Sequence, residues 1–559
     1  MSLKIVERFS NRLWWRGLLS ALAAPPGDMA NALVSPQRTT PVAPRWRLLF
    51  LLLLLALAPR MVMALRIPAV CPDATIYLDD AQALDRGDLR DCLEGMNLNT
   101  LLVALTALHR LGLDWEQSGL VWGVLISTAA VAPLFGWARR QFDDRTAALT
   151  CVLYAAHPGL VERSPEIIRE PTFWFFLLST LYFQWRAASD GQYRWFLLAG
   201  VGFLLALLTR FEAVFLLIPL LWWTGLRWVQ VPDQRRRTVM GLFIALFAIP
   251  LILATVNFLL LGQAATTALV RLDPLERAMA WLHSWNDAAA TTTMQAGETA
   301  PRAATITLIQ QFVVAVGRGF DPVVAILLPF SLFGWGRLWL RRDILPLLMM
   351  SAAILGATWI HLWYSGEISS RYVLTVFLLL SPLCALGLCW PQSRRALLPG
   401  KLAQRPQAQG ALLLGSLVLL TLIGWSDALG SNFKSRAQQA ELGRWLANRY
   451  GDHARMAGSQ RAAALVAFYA GADFQDFDHG ASLQSLLEAV ESYQPEVLVV
   501  DRREQEFAPL IESPIIRARY APISDPSAPR GDAHMLVLIQ PGERQRLSQI
   551  PATVDVGRQ

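Results

Sequence analysis

The sequence predicts an α-helical polytopic membrane protein of about eleven spans with a C-terminal extracytoplasmic α/β domain. Three observations carry this. Apolar residues make up 54% of the 559 and charged residues 17%, against roughly 25% charged in soluble domains. Apolar runs such as 49–58, 195–208 and 251–261 recur along most of the length. From about residue 426 the long runs stop, and short helical and strand-like segments take over.

Residues 1–45 are basic, polar and rich in Pro and Ser, and read as a cytoplasmic leader with a short amphipathic helix near 13–22. The transmembrane domain is expected over 46–425. Its candidate spans are 46–65, 119–138, 147–161, 171–187, 195–209, 213–228, 239–261, 323–340, 345–364, 373–390 and 411–425. With the leader inside, this odd count puts the tail outside. It also puts the clusters Arg139-Arg140, Arg235-Arg236-Arg237, Arg341-Arg342 and Arg394-Arg395 on the cytoplasmic side, as the positive-inside rule expects. The net charge of +7 is thus read as a topology signal, and no nucleic-acid partner is expected. The localisation that follows is the cell (inner) membrane, multi-pass.

Elaboration is confined to the outer face. Two long loops are expected there, 66–118 and 262–320, and between them a shorter one over 157–170. In the tail, 438–450 has helical spacing, 463–469 reads as a strand, 482–493 as a helix, 496–501 as a buried parallel-type strand and 534–540 as a closing strand. No glycine-rich nucleotide fingerprint is present in the domain spanning 426–559.

Of five cysteines, Cys151, Cys384 and Cys389 fall in apolar segments and read as packing residues. Cys71 and Cys92 share the first outer loop. A disulfide between them would close about twenty residues and contribute on the order of 3 kcal/mol, although spacing alone does not establish a bridge.

The chemistry is expected where ionisable groups gather at the outer boundary, because such groups are costly there unless solvated or paired. Pro72 opens a helix in which Asp73, Tyr77 and Asp80 share a face. A plain helix start is the bland reading of Asp73. In the second loop Ser164 is expected to cap a helix beginning at Pro165, with Glu166 explained by the helix dipole. Glu170, beside Pro171, lies deeper and needs a partner, which Arg169 or an arginine of another loop would supply. Arg210 and Glu212 form a polar knot between two spans, and Arg371-Tyr372 opens a late one. Arginines on the outer face are disfavoured unless something binds them, and a phosphate is their natural ligand. His157, His283 and His361 are scattered without metal-ligand spacing, so no cofactor is called for.

Four motifs in this order carry a resemblance. They are Asp73 with Tyr77, followed by the segment 83–89; Glu170-Pro171; the stretch 202–210 ending in Arg210; and Ser370-Arg371-Tyr372. Over about 46–390 the chain resembles the GT-C glycosyltransferases, in particular the protein O-mannosyltransferase and lipid A aminoarabinose transferase branch. That resemblance implies inverting transfer of a sugar from a polyprenyl-phosphate donor to a lipid, glycan or protein acceptor on the extracytoplasmic face. It implies Asp73 as general base, Glu170 as its assistant, and Arg210 and Arg371 as ligands of the donor phosphate, with Tyr77, Asp80, Arg169, Glu212 and Tyr372 in support. Ala74 stands where relatives often carry Glu, and 97–100 replaces a Tyr-Pro-Pro-like stretch. The rival reading is a multi-pass transporter or flippase of a lipid-linked or anionic substrate. It expects mid-membrane charges and internal repeats, neither of which the sequence displays.

Overall fold

The computed structural model describes residues 46–88, 99–248, 300–321, 342–365, 368–393, 406–430, 433–451, 454–477, 482–502, 504, 507–523, 529 and 535–540. The leader 1–45, Cys92, most of the loop 262–320, and the candidate span 323–340 lie outside these residues. Six helices among those described are long and apolar enough to cross a membrane.

The first span is α1 (Trp46–Arg66). The segment after it contains two helices, α2 (Pro72–Arg86) and α3 (Thr100–Arg110). Pro72 occupies the first turn of α2 as expected, and Gly87 closes it in the left-handed conformation. Asn99 caps α3 by accepting from the amides of Leu101 and Leu102. The candidate span 119–138 is two stacked helices, α4 (Trp115–Ala129) and α5 (Val131–Gln141). Next come α6 (Asp144–Ala156), capped by Asp143, and the short α7 (Pro158–Arg163). Helices α8 (Arg169–Asp190) and α9 (Tyr193–Thr209) form an antiparallel hairpin. Its turn needs Gly191: φ is +67°, and a Cβ there would lie 1.9 Å from the Arg227 guanidinium.

After a 3₁₀ turn (Phe211–Leu216) follow α10 (Leu217–Gln230) and α11 (Arg235–Phe243). Residues 300–320, read from the sequence as the end of a loop, form α12 (Ala300–Phe320), whose apolar stretch packs on later spans. The bundle ends with α13 (Leu345–Ser365), α14 (Arg371–Ser393) and α15 (Pro406–Leu429).

The two ends of the bundle differ. At one end Gln141 and Trp223 donate to the Asp343 carbonyl, Trp222 to that of Arg342, and Arg227 to those of Ala188 and Ser189. The basic clusters at 139–140 and 342 gather there with Asp144 and Asp190. The other end holds α2, α3, the 164–170 segment, Arg210, Arg371 and the C-terminal domain.

That domain begins with α16 (Lys434–Tyr450) and has a five-stranded sheet in the order β2-β1-β3-β5-β4. Its strands are β1 (Arg455–Gly458), β2 (Asp473–Asp476), β3 (Val497–Asp501), β4 (Ala521–Pro522) and β5 (Met535–Ile539). Strand β3 is buried along its length, parallel to β1 and antiparallel to β5. Its side chains alternate, Val497 and Val499 into one core and Leu498 and Val500 into the other. The segment 463–469 is a correction. It lies in a helix, α17 (Gln460–Ala470), bounded by Ser459 and the left-handed Gly471, not in a strand. A continuous apolar run has no period that separates the two. The helix expected over 482–493 is α18 (Leu483–Tyr493), with Ser482 as its cap.

Candidate active site

Three arginines and three carboxylates from four separate segments meet at the end of the bundle that carries the C-terminal domain. Glu170 is in the first turn of α8, where the helix dipole favours a carboxylate. Its side chain is only 5% exposed and its Oε1 accepts from Arg210 Nη1 at 2.5 Å. Arg210 is extended (φ −150°, ψ 136°) at the junction between α9 and the 3₁₀ turn. This break in the helix lets it turn back on Glu212, with Nη2 2.5 Å from Oε1 and Nε 3.2 Å from both oxygens. Arg371, the first residue of α14, pairs through Nη1 with Asp73 of α2, and its Nε lies 3.5 Å from Glu170 Oε1. Asp73, Arg371, Glu170, Arg210 and Glu212 thus form one continuous chain of ion pairs. Tyr372 lies under both guanidiniums, 5.2 Å from Arg210 and 5.4 Å from Arg371.

The exposures divide the chain of charges. Glu170 is buried, whereas the Asp73 side chain is 43% exposed. Of the three carboxylates Asp73 is the most exposed, ahead of Glu212 at 34%. Arg169 stands over the Tyr77 ring at 5.5 Å. No carboxylate lies in salt-bridge range of it among the described contacts, unlike Arg210 and Arg371. Burial pushes the Tyr77 phenol up to about 12 against the pull of Arg169. Asp80 is buried one turn further along α2, and Asp79 is exposed.

Two neighbouring contacts fix the frame. The Thr100 and Thr209 hydroxyls are 2.5 Å apart, tying α3 to the end of α9 beside Arg210. Trp122 donates to the Thr172 hydroxyl at 2.8 Å, tying α4 to α8 just after Glu170.

The sequence reading of the second outer loop is corrected in two ways. Ser164 does not cap a helix; residues 164–168 bend, and α8 starts at Arg169. The Ser164 hydroxyl donates to the Leu160 carbonyl at 2.5 Å and accepts from Arg60 Nε at 2.9 Å. Glu166 is held by ion pairs rather than by a dipole, 2.7 Å from Arg163 and 2.8 Å from Arg436. The bent backbone lies close against α4: a Cβ on Gly123 would fall 2.3 Å from the Ser164 carbonyl oxygen, and one on Gly119 2.4 Å from Ile167. Gly123→Ala is therefore expected to cost about 1–3 kcal/mol through overpacking and to lower the thermal unfolding temperature. An unchanged unfolding temperature would show that the loop has room to give.

Burial alone would raise the Glu166 carboxyl, but the Arg163 and Arg436 guanidiniums outweigh it and hold it below its ordinary value. A carboxyl that is more acidic folded than unfolded contributes its stabilisation above its unfolded value, about 4.3, and loses it as the pH falls through the folded value. The stability difference between wild type and Glu166→Gln is accordingly expected to be flat above about pH 5 and to shrink below about pH 4. Thermal unfolding in detergent across this range reads it.

Cys71 carries a free thiol, buried beside Val70 and Ala74, and burial raises its pKa. It packs as a small apolar residue, and its expected partner Cys92 lies outside the described residues. Sequence reasoning missed Arg60, Arg436 and Tyr469. Arg60 was legible as a charge inside the apolar run 46–65. It is fully buried, donates to Ala56 O and Ser164 Oγ, and lies 4.6 Å from the Tyr154 ring.

Among the described residues no group of three or more His, Cys, Asp or Glu is arranged to hold a metal ion.

Comparison with known proteins bears on this helical bundle and its chain of charges. The family model of the dolichyl-phosphate-mannose-protein mannosyltransferases matches residues 102–263. No curated protein matches the chain. Among solved structures, the Archaeoglobus fulgidus oligosaccharyltransferase in complex with Zn and sulfate aligns over 82% of this chain and 68% of its own, at 14% identity and a TM-score of 0.52. The same organism's AglB, an archaeal oligosaccharyltransferase in complex with an inhibitory peptide and a dolichol-phosphate, aligns over 82% and 69%, at 12% identity and a TM-score of 0.51. ArnT from Cupriavidus metallidurans bound to undecaprenyl phosphate covers 88% of this chain and 97% of its own, at 13% identity and a TM-score of 0.48. The likeness to the solved structures is one of fold.

Proposed function

We propose that the protein transfers a sugar from a polyprenyl-phosphate-linked donor to a hydroxyl of a lipid, glycan or protein acceptor. The reaction takes place at the extracytoplasmic membrane surface, on the side that bears the C-terminal domain. One observation carries the reading: Asp73, Glu170, Arg210 and Arg371, spread over nearly the whole transmembrane domain in sequence, form a single ion-paired cluster. The match of residues 102–263 to a mannosyltransferase family model supports it from a separate direction.

In this mechanism the acceptor O–H gives its proton to the Asp73 carboxylate as its oxygen bonds to the anomeric carbon. The bond from that carbon to the phosphate oxygen breaks, and the polyprenyl phosphate leaves with the electron pair. Attack opposite the leaving group inverts the anomeric configuration. Arg371 stabilises the developing phosphate charge, and its transfer from Asp73 to the phosphate frees the base as the donor binds. Arg169 offers the phosphate a second guanidinium. Glu170, neutralised by Arg210, orients Arg371 and the acceptor.

The test is a transfer assay with purified protein, a polyprenyl-phosphate sugar of known anomeric configuration, and membrane extract as the acceptor source. Release of one polyprenyl phosphate per sugar transferred, with inversion, is expected. A product that keeps the donor's configuration would overturn the mechanism.

A further inference from the structure

The second outer loop is gripped from the C-terminal domain, four residues before Glu170. Glu166 is 1% exposed in its side chain and is bracketed by two guanidiniums, Arg163 at 2.7 Å and Arg436 at 2.8 Å. Arg163 is local, three residues back. Arg436 comes from α16, 270 residues away. An ion pair at this burial is costly to form and more costly to break on one side only, because the remaining charge has no water to turn to.

The same domain supports the rest of the loop. Leu465 of α17 is fully buried in one core with Ile167 and Ile168, the residues between Glu166 and the start of α8. That core also contains Ala74 and Tyr77, which follow Asp73 on α2. At the far end of α17 the Tyr469 hydroxyl accepts from the Val70 amide at 3.2 Å and donates to Glu116 Oε2 at 3.0 Å. The domain therefore touches α2, which carries Asp73, and the 164–168 bend, which leads into Glu170 at the start of α8.

We propose that the C-terminal domain is a positioning element of the transfer site, with Arg436 its central residue, fixing the 164–168 bend through Glu166 so that Glu170 meets Arg210 and Arg371. Arg436 touches neither donor nor acceptor; it acts through Glu166. The bend has little structure of its own to hold it, since it is neither helix nor strand and only one backbone hydrogen bond, Ile168 to Glu166, closes within it. Its shape comes from what surrounds it, and Arg436 is the charged part of that surround contributed by the C-terminal domain. The proposal rests on the transferase reading of the cluster.

The experiment uses the full-length protein with Arg436→Ala, Arg436→Lys, Glu166→Gln, and the double variant Arg436→Ala/Glu166→Gln. Displacement of a catalytic group by about an ångström costs on the order of 100-fold in rate, so Arg436→Ala is expected to lower kcat roughly 10- to 100-fold, with KM for the donor within about twofold. Arg436→Lys should recover part of the loss, and the double variant should be no worse than the poorer single one, because both act on one contact. Hydrogen exchange gives a readout independent of turnover: amides 164–168 should exchange faster in Arg436→Ala, while those of β3, deep in the C-terminal domain, should not. Wild-type kcat and unchanged exchange at 164–168 would overturn the proposal, as would a loss confined to KM. Should Arg436→Ala fail to fold, the isosteric Glu166→Gln carries the same two readouts. Asp73→Asn assayed alongside separates the two readings. If it is inactive while Arg436→Ala is fully active, only the positioning role fails; if it is fully active, the transferase reading fails and the exchange result still decides whether the domain holds the loop.

Discussion

Arg210→Ala is expected to abolish transfer and to destabilise the protein by about 3–5 kcal/mol, the cost of leaving buried charge without its partner. Arg210 neutralises two carboxylates at once, Glu170 at 2.5 Å and Glu212 at 2.5 Å. Glu170 is almost fully buried and would keep only Arg371, at 3.5 Å. The guanidinium also sits over Tyr372 and beside the Thr100–Thr209 contact that ties α3 to α9, so its loss loosens the junction that positions it. Lysine is a poor substitute, because a single ammonium does not reach both carboxylates with the geometry of the planar fork. Thermal unfolding of the variant in detergent reads the stability loss. A variant that folds with wild-type stability would show that Glu170 is neutralised by other means.

Arg371→Ala is expected to behave differently, keeping the fold and losing kcat by roughly 100- to 1,000-fold, the range found when one donor to a developing charge is removed. Its partner Asp73 is half exposed and can be solvated, and Glu170 retains Arg210. The structural cost is therefore small while the leaving phosphate loses its counter-charge. Steady-state kinetics beside thermal unfolding separate the two arginines: Arg210 moves both readouts and Arg371 only the rate. Equal destabilisation by the two substitutions would contradict the burial argument.

The site was legible in the sequence where chemistry conflicts with environment. Asp73, Glu170, Arg210 and Arg371 stood out because charge at an apolar boundary must be paired or used, and these are the residues that meet. Glu170 needed a partner from another loop and found one in Arg210. What the sequence could not carry was pairing over long separations: Glu166 with Arg436, and Tyr469 with Glu116. No local pattern encodes such contacts. The dipole reading of Glu166 failed for a related reason, since a cap-like Ser-Pro-Glu string looks the same whether the serine caps a helix or, as here, binds Leu160 and Arg60. In the C-terminal domain, β3 was legible from its continuous buried run between polar ends. The 463–469 run was equally apolar, and only its flanking Ser459 and Gly471 mark it as helical. The bland reading of Asp73 as a plain helix-start residue accounts for its position after Pro72, but not for its place at the head of the ion-paired chain.

The measurement closest to the central claim is single-turnover transfer by Asp73→Asn with a polyprenyl-phosphate sugar labelled in both sugar and phosphate. Asparagine keeps the shape of the side chain and removes its capacity to take a proton together with the charge that pairs with Arg371. The account predicts that the variant is made, folds and binds the labelled donor, yet releases no labelled polyprenyl phosphate and moves no sugar, a loss of at least about 100-fold for a missing general base. Sugar transfer at the wild-type rate by Asp73→Asn would contradict it.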